Sequence, residues 1–167
     1  LRTMDLANDL RELAHHLPAR TAIIGSGPNV ATAAEGALKL KQAAYVVAEG
    51  MTVEQFLHGP IVALNAGDLL LAVNVAGPGE RRTTEVVEAA AHFGAYTAWV
   101  GHRPIGCAGK AFPIPGIEAL PECLTPLLAV LPLQLLACFA AEARGTDPDS
   151  FRLDQPKYAA ALKPIRL

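Results

Sequence analysis

Short apolar runs alternate along the chain with longer segments in which apolar residues recur at helical spacing. The helical spacing predicts helices at Met4–Leu17, Asn29–Gln42, Glu80–Phe93 and Leu124–Arg144. The apolar runs predict five strands, at residues 21–27, 43–48, 68–76, 96–101 and 111–117. Strands that alternate with helices are typical of a parallel sheet. The pattern therefore predicts an α/β fold, a doubly wound five-stranded parallel sheet flanked by helices.

The last predicted helix, Leu124–Arg144, is apolar on every side, which is typical of a buried helix. A single domain of this size rarely covers such a helix completely. We therefore expect a homodimer partner or a second half of a longer chain to pack on it. The polar, proline-containing segment that follows divides the chain into a domain at 1–146 and a tail at 147–167.

Composition narrows the classes of function. The chain has 167 residues, of which 51% are hydrophobic, and a formal charge of −2, which fits one packed domain. It has no Lys/Arg cluster, so we expect no nucleic-acid partner. The apolar stretch 124–141 is interrupted by Pro126, Pro132 and Gln134, so we expect no membrane partner and a cytoplasmic location. The cysteines have no metal-ligand spacing, so no metal site is predicted.

The first predicted strand ends in a glycine loop that opens a helix. Glycines allow a tight turn there, and the free N–H groups of the helix attract an anion. Gly25, Ser26, Gly27 and Asn29 are therefore candidate ligand-binding residues. Together with Glu49, the loop also resembles a dinucleotide-binding fingerprint, although Pro28 removes a donor. A plain tight turn and a redox domain both stay open as alternatives.

Three polar residues share one face of the second predicted helix. Glu35, Lys39 and Gln42 follow the i, i+4, i+7 spacing. We expect this stripe to project toward the carboxyl ends of the strands, where α/β sheets bind ligands. The alternative is a solvent-exposed Glu–Lys pair worth about 0.3–0.5 kcal/mol.

One histidine has neighbours suited to proton transfer. His58 follows Glu54 by one helical turn and precedes a Gly-Pro corner. Imidazole can accept and return a proton near neutral pH, so His58 is a candidate acid–base group. A packed or solvated histidine is the alternative.

Two long motifs resemble the SIS (sugar isomerase) domain family. They are EGALKLKQAAYVVAEGMTVEQFLHGP at 35–60 and VLPLQLLACFAAEARGTDPD at 130–149. They are most similar to the second of the two SIS halves in glucosamine-6-phosphate synthases, and to the related deaminases and phosphosugar isomerases. The resemblance covers nearly the whole chain. It implies a flavodoxin-like three-layer sandwich, with 1–146 as the SIS domain and 147–167 as a tail that closes on the active site.

The resemblance also implies an activity. Members of this family bind a hexose or aminohexose 6-phosphate in its open-chain form and move a proton between C1 and C2, without a cofactor. Glu35 and Lys39 match the acid and the lysine of the family's catalytic helix. His58 matches the ring-opening histidine, which reaches the site of the neighbouring subunit.

The sequence departs from the family at three places. The position of the proton-abstracting glutamate is occupied by Gln42, whose amide has no titratable carboxylate. Either Glu35 or Glu49 takes that role, or the protein is a catalytically impaired sugar-phosphate-binding regulatory module. The segment 76–83 lacks the serines of the family's phosphate loop, so we expect the main phosphate site in a partner half. Lys157 lies one residue from the expected place of the tail lysine that closes on the sugar.

Overall fold

The computed structural model describes the backbone of residues 2–164 and the side chains of residues 6–164. The helices are α1 (Arg2–His15), α2 (Asn29–Ala44), α3 (Val53–Leu57), α4 (Glu80–His92), α5 (Pro126–Arg144) and α6 (Pro156–Leu162). The strands are β1 (Arg20–Gly25), β2 (Val47–Thr52), β3 (Leu69–Asn74), β4 (Tyr96–Gly101) and β5 (Lys110–Pro113).

The predicted sheet is confirmed. Its five strands are all parallel and lie in the order β2-β1-β3-β4-β5. The strand order reverses between β1 and β3, as in flavodoxin-like folds, whereas dinucleotide-binding domains place the third strand outside the second. The topology therefore gives no support to a dinucleotide-binding, Rossmann-type redox domain.

The core has two parts, one on each face of the sheet. One part lies under α1, α2 and α5 and includes Ile23 and Leu71. The other lies under α3 and α4 and includes the next residue of β1, Ile24, and the preceding residue of β3, Leu70. Because successive strand residues point to opposite faces, the continuous apolar runs fill both cores at once. This arrangement is the predicted three-layer sandwich.

The prediction for the second strand is wrong in position. Ala43 and Ala44 belong to the end of α2, and the strand begins at Val47. Tyr45 ends the helix in a left-handed conformation (φ 55°), and its N–H bonds to the carbonyl of Leu40. Alanine is the strongest helix former, so the alanine pair extends the helix. The strand instead includes Glu49 and Gly50 and lies at the edge of the sheet.

Within this chain α5 is buried on its inner side only, and the expected partner on its outer side stays a prediction. Its inner side packs on α2 and α1, while Leu127, Leu131 and Leu135 are 70%, 50% and 42% exposed. The helix lies in the outer layer of the sandwich, and nothing in the described part of this chain covers its outer side. Contacts between Asn29 and Thr125 at one end and between Ala43 and Thr146 at the other show that α2 and α5 run parallel.

Candidate functional site

The three polar residues of α2 form one connected stripe. The Nζ of Lys39 lies 3.4 Å from the Oε1 of Glu35. It also donates a hydrogen bond of 3.2 Å to the Oε1 of Gln42. The side chains of Lys39 and Glu35 are 39% and 36% exposed, so the stripe is accessible to a ligand or to a partner. The helical spacing brings these groups together as expected.

The stripe does not lie at the mouth of this chain's own sheet. α2 begins beside the carboxyl end of β1 and ends beside the start of β2, near the amino edge. At a rise of about 1.5 Å per residue, Lys39 lies about 15 Å along the axis from the start of the helix, and Gln42 lies farther. The expectation that the stripe projects toward the carboxyl ends is therefore wrong for these two residues, which lie on the flank of the domain.

His58 lies in a separate ionic cluster. Its Nε2 is 3.5 Å from the Oε2 of Glu54, and its side chain is 75% exposed. The Nε of Arg82 on α4 donates a hydrogen bond of 2.8 Å to the Oε1 of Glu54. This hydrogen bond is the main cause that lowers the pKa of Glu54 below its ordinary value. Sequence reasoning missed Arg82, because the contact joins two helices on different crossovers.

Within one chain the structure keeps His58 apart from the stripe. α3 and α4 cover one face of the sheet and α2 covers the other. Among the described side chains, His58 pairs with Glu54, whereas Lys39 pairs with Glu35 and donates a hydrogen bond to Gln42. A single site that uses both groups therefore needs a second chain or a second half.

The two candidate carboxylate bases lie on opposite faces of the sheet. Ala48 packs in the core under α2, so Glu49, the next residue of β2, faces the α3 side. Glu49 is exposed there and lines an edge cleft of about 420 Å³ together with Met51. Glu35, by contrast, lies within reach of Lys39. Glu35 is therefore the carboxylate that accompanies the lysine in this chain.

Asn29 does not face a ligand, contrary to the sequence-based expectation. Its side chain is 1% exposed. Its Nδ2 donates a hydrogen bond of 2.8 Å to the Oγ1 of Thr125, and its Oδ1 accepts one of 3.0 Å from Thr32. These bonds fix the starts of α2 and α5 to each other, so the side chain stabilises the packing of the two helices.

The rest of the glycine loop lies at the carboxyl edge of the sheet. A Cβ on Gly25 would lie 2.2 Å from the carbonyl oxygen of Asn29, so only glycine allows this turn. The Oγ of Ser26 lies 3.4 Å from the Oγ1 of Thr83. A Cβ on Gly27 would lie 2.7 Å from the Oε1 of Glu122, so a carboxylate stands beside the loop. Negative charge at this place disfavours a phosphate ligand in this half.

The tail docks at the end of α2 that carries Gln42. The guanidinium of Arg152 stacks between the rings of Tyr45 and Tyr158, 4.3 and 3.9 Å from their centres. Tyr45 directly follows the last turn of α2, so this stacking holds α6 near the Gln42 end of the stripe. Lys157 is exposed on α6. Residues 165–167 of the predicted tail lie outside the described residues.

Among the side chains of residues 6–164, no group of three or more His, Cys, Asp or Glu residues is placed to hold a metal ion. One segment, Glu122–Arg144, is long and apolar enough to cross a membrane by length and composition alone. In the structure it contains α5, which packs on α1 and α2 as a core helix does.

Curated relatives decide the family. The chain is 37% identical over 147 residues to glutamine–fructose-6-phosphate aminotransferase [isomerizing] of Thermococcus kodakarensis, covering 86% of this chain and 24% of that protein. It is 30% identical over 158 residues to the protein of the same name from Sphingobium yanoikuyae, covering 90% of this chain and 96% of that sequence. The chain belongs to the glutamine–fructose-6-phosphate aminotransferase family. It spans about a quarter of the first relatives that it matches. No protein-family model matches the chain.

Solved structures of the aminotransferase and of sugar-phosphate isomerases share its fold. The C-terminal domain of glucosamine-fructose-6-phosphate aminotransferase from Francisella tularensis superimposes with a TM-score of 0.77 at 24% identity, covering 87% of this chain and 42% of that one. Tagatose-6-phosphate ketose/aldose isomerase from Escherichia coli gives 0.74 at 17% identity, covering 90% and 44%. The predicted resemblance to the SIS domain is therefore confirmed.

Proposed function

We propose that this chain is the second SIS half of a phosphosugar isomerase or deaminase. In this proposal it acts on a hexose or aminohexose 6-phosphate by proton transfer between C1 and C2, in the cytoplasm. The observation that carries the proposal is the connected stripe of Glu35, Lys39 and Gln42, in a chain whose relatives are named for fructose 6-phosphate. Acid–base groups and a charged cradle suffice for this chemistry.

Each polar group of the stripe has a chemical role in the proposal. A base removes the proton from the carbon next to the carbonyl group, and the resulting enediolate needs a nearby positive charge. Lys39 supplies that charge. Glu35, in contact with Lys39, is the base that the geometry favours over Glu49. His58 opens the sugar ring in the site of a neighbouring subunit, which is consistent with its exposed position away from its own stripe.

An apolar surface beside the stripe supports a partner. We define the α2/α5 face as Leu38, Leu127, Leu131 and Leu135, all more than 40% exposed on two adjacent helices. Leu127, Leu131 and Leu135 follow the i, i+4, i+8 spacing and so form a continuous apolar stripe along α5, and exposed apolar surfaces of this kind mark protein contacts. The proposed occupant is a second SIS half or a second copy of this chain. The matched solved chains are each more than twice as long as the matched region, so they have room for two such units.

The proposal places the phosphate cradle in the partner half. Glu122 lies beside Gly27, and Glu80 begins α4 at the loop that follows β3. Both carboxylates weaken anion binding at this chain's own loops, although Ser26 and Gly27 remain candidates for contacts to the sugar. The tail, held by the Arg152 stacking, brings Lys157 toward the bound sugar in the same scheme.

A specific observation favours a second candidate function. Gln42 accepts the hydrogen bond of Lys39 at the position where the family resemblance puts the base. An amide there keeps the lysine in place but accepts no proton. The alternative is therefore a catalytically impaired sugar-phosphate-binding regulatory module.

One experiment separates the two functions. The full-length protein is assayed for conversion of fructose 6-phosphate and glucosamine 6-phosphate, and its melting temperature is measured with each sugar. If the protein is the enzyme, His58→Ala abolishes turnover while the sugar still raises the melting temperature. The control is His92→Ala, at an exposed position at the end of α4, which should change neither turnover nor the melting shift. A melting shift without turnover supports the regulatory module. If neither sugar raises the melting temperature or is converted, both proposals are wrong.

A further inference from the structure

A second cleft, of about 640 Å³, opens at the carboxyl ends of β4 and β5. Gly101 and His102, where β4 ends, form its floor. Leu6 and Asp9 of α1 form one wall, and the segment that follows β5 forms the other. Open α/β sheets bind ligands outside the carboxyl ends of their strands. None of the predicted site residues is among the described residues that line this cleft.

The backbone of His102 is held by Asn74, at the end of the neighbouring strand. The N–H of His102 donates to the carbonyl oxygen of Asn74 at 2.9 Å, and the Nδ2 of Asn74 donates to the carbonyl oxygen of His102 at 3.0 Å. Gly101 allows this approach with a φ of 96°, because a Cβ there would lie 2.4 Å from the Asn74 oxygen. His102 is therefore fixed on the ends of two strands.

A carboxylate also orients the ring of His102. Its Nδ1 lies 2.7 Å from the Oε1 of Glu80, and the two side chains are 46% and 29% exposed. An imidazole whose Nδ1–H is donated to a carboxylate presents Nε2 as a hydrogen-bond acceptor. With Nδ1 bonded to Glu80, Nε2 is the ring nitrogen of this cleft-lining residue that is left to accept a hydrogen bond from a ligand.

The charges around the cleft favour a cation. Asp9 and Glu118 line it, and Glu80 stands behind the imidazole. The described ammonium at the rim, that of Lys110, is bound to Asp9 at 2.7 Å. Among the side chains of residues 6–164, a carboxylate or phosphate ligand would meet Glu118 and Glu80 without a matching cation, whereas an ammonium group would be attracted.

We propose that this cleft binds a small primary amine with an apolar body. The ammonium donates hydrogen bonds to Glu118 and to the Nε2 of His102. The apolar body lies against Leu6, Ile114 and Ile117. The proposal does not depend on the sugar-phosphate function, because the cleft uses neither the α2 stripe nor His58.

Three probes with the same six-carbon body test the proposal by calorimetry and by NMR of the histidine side chains. Hexylamine is expected to bind and to shift the ring resonances of His102. Hexanol is expected to bind at least about tenfold more weakly, because it lacks the charge that strengthens the hydrogen bonds of the ammonium group. Hexanoate is expected not to bind. Glu118→Gln and His102→Phe each weaken hexylamine about tenfold or more, and Glu12→Gln, an exposed glutamate of α1 outside the cleft, does not.

Several results would overturn the amine site. They are equal binding of hexanol or hexanoate, an absence of binding by hexylamine, and unchanged affinity in both cleft variants. Glu118 is exposed, so its replacement leaves folding intact, and an unchanged melting temperature verifies this for each variant. Loss of sugar-phosphate activity has no bearing on the result.

Discussion

Lys39 donates its hydrogen bond to an amide oxygen, that of Gln42, at 3.2 Å. On its other side the carboxylate of Glu35 lies 3.4 Å away. The lysine thus bridges a group that can accept a proton and a group that cannot. Position 42 therefore keeps the hydrogen bond to the lysine that a carboxylate base would make, but its amide accepts no proton.

The first prediction concerns that amide. Gln42→Glu places a titratable carboxylate next to Lys39. If the chain is the catalytically impaired module, we expect kcat on fructose 6-phosphate to rise about 10²-fold or more in the full-length protein. KM should change little, because the hydrogen bond to the lysine is kept. The control is Gln42→Met, which has similar size and no charge and should not raise kcat. An unchanged kcat in Gln42→Glu would mean that Glu35 already serves as the base.

The second prediction concerns the separation of His58 from the stripe. His58→Ala and Lys39→Ala should each be inactive alone. The two variants are then mixed and allowed to reassemble. If the histidine acts across a two-fold interface, half of the dimers contain one chain of each variant, and each such dimer has one intact site out of two. The mixture therefore regains about a quarter of the wild-type rate. Mixing His58→Ala with the wild-type chain is the activity reference, because half of the wild-type rate is expected with or without exchange. Exchange itself is checked by native mass spectrometry of a tagged and an untagged chain. No recovery after proven subunit exchange would place both groups in the same subunit's site.

Sequence periodicity accounts for much of the fold and for part of the site. The strand β3 was predictable because Leu69–Asn74 is a continuous apolar run that both faces bury. The stripe was predictable because helical spacing is local. The contacts of Arg82 with Glu54 and of Glu122 with Gly27 were not, because they depend on which loops the sheet order brings together. The all-apolar composition of α5 led to the expectation of a partner, but composition alone does not identify which side of the helix faces this chain's own core.

The third prediction tests the close packing of α2 on the edge strand. A Cβ on Gly50 would lie 2.4 Å from the carbonyl oxygen of Ala33, which is backbone and cannot rotate away. We expect Gly50→Ala to lower the free energy of unfolding by about 1–3 kcal/mol. In Gly77→Ala the new Cβ would meet the nearest atoms at 3.4 Å or more, so this control should be close to neutral. Urea denaturation of the two variants measures the difference, and equal stabilities would contradict the packing described.

The fourth prediction tests the α2/α5 face. In the 167-residue chain we expect the double variant Leu127→Gln/Leu131→Gln to shift a dimer toward monomer, weakening association about tenfold or more for each leucine removed. Circular dichroism should be unchanged, since these side chains are 70% and 50% exposed. Val62→Gln is the matched control, because Val62 is 88% exposed on the opposite layer. Sedimentation that is identical for all three proteins would remove this face as the contact.

The fifth prediction follows from the charges around His58. The hydrogen bond from Arg82 lowers the pKa of Glu54 below its ordinary value of 4.5, so the folded state holds the ionised carboxylate more favourably than the unfolded state does. The resulting stabilisation is fully present above the unfolded-state pKa and disappears as the pH falls through the lower, folded-state pKa. We therefore expect Glu54→Gln to be less stable than the wild type at pH 7 and equally stable once the pH lies below that folded-state pKa.

Urea titrations from pH 7 to pH 3 measure this difference, which should also shrink at 1 M salt because both groups are exposed. The matched test compares Arg82→Met with the double variant Arg82→Met/Glu54→Gln. Once the guanidinium is removed, the effect of Glu54→Gln should lose most of its pH dependence. A pH dependence that survives without Arg82 would attribute the lowered pKa of Glu54 to His58, the other cation beside it, and would make the imidazole rather than the guanidinium the main partner of this carboxylate.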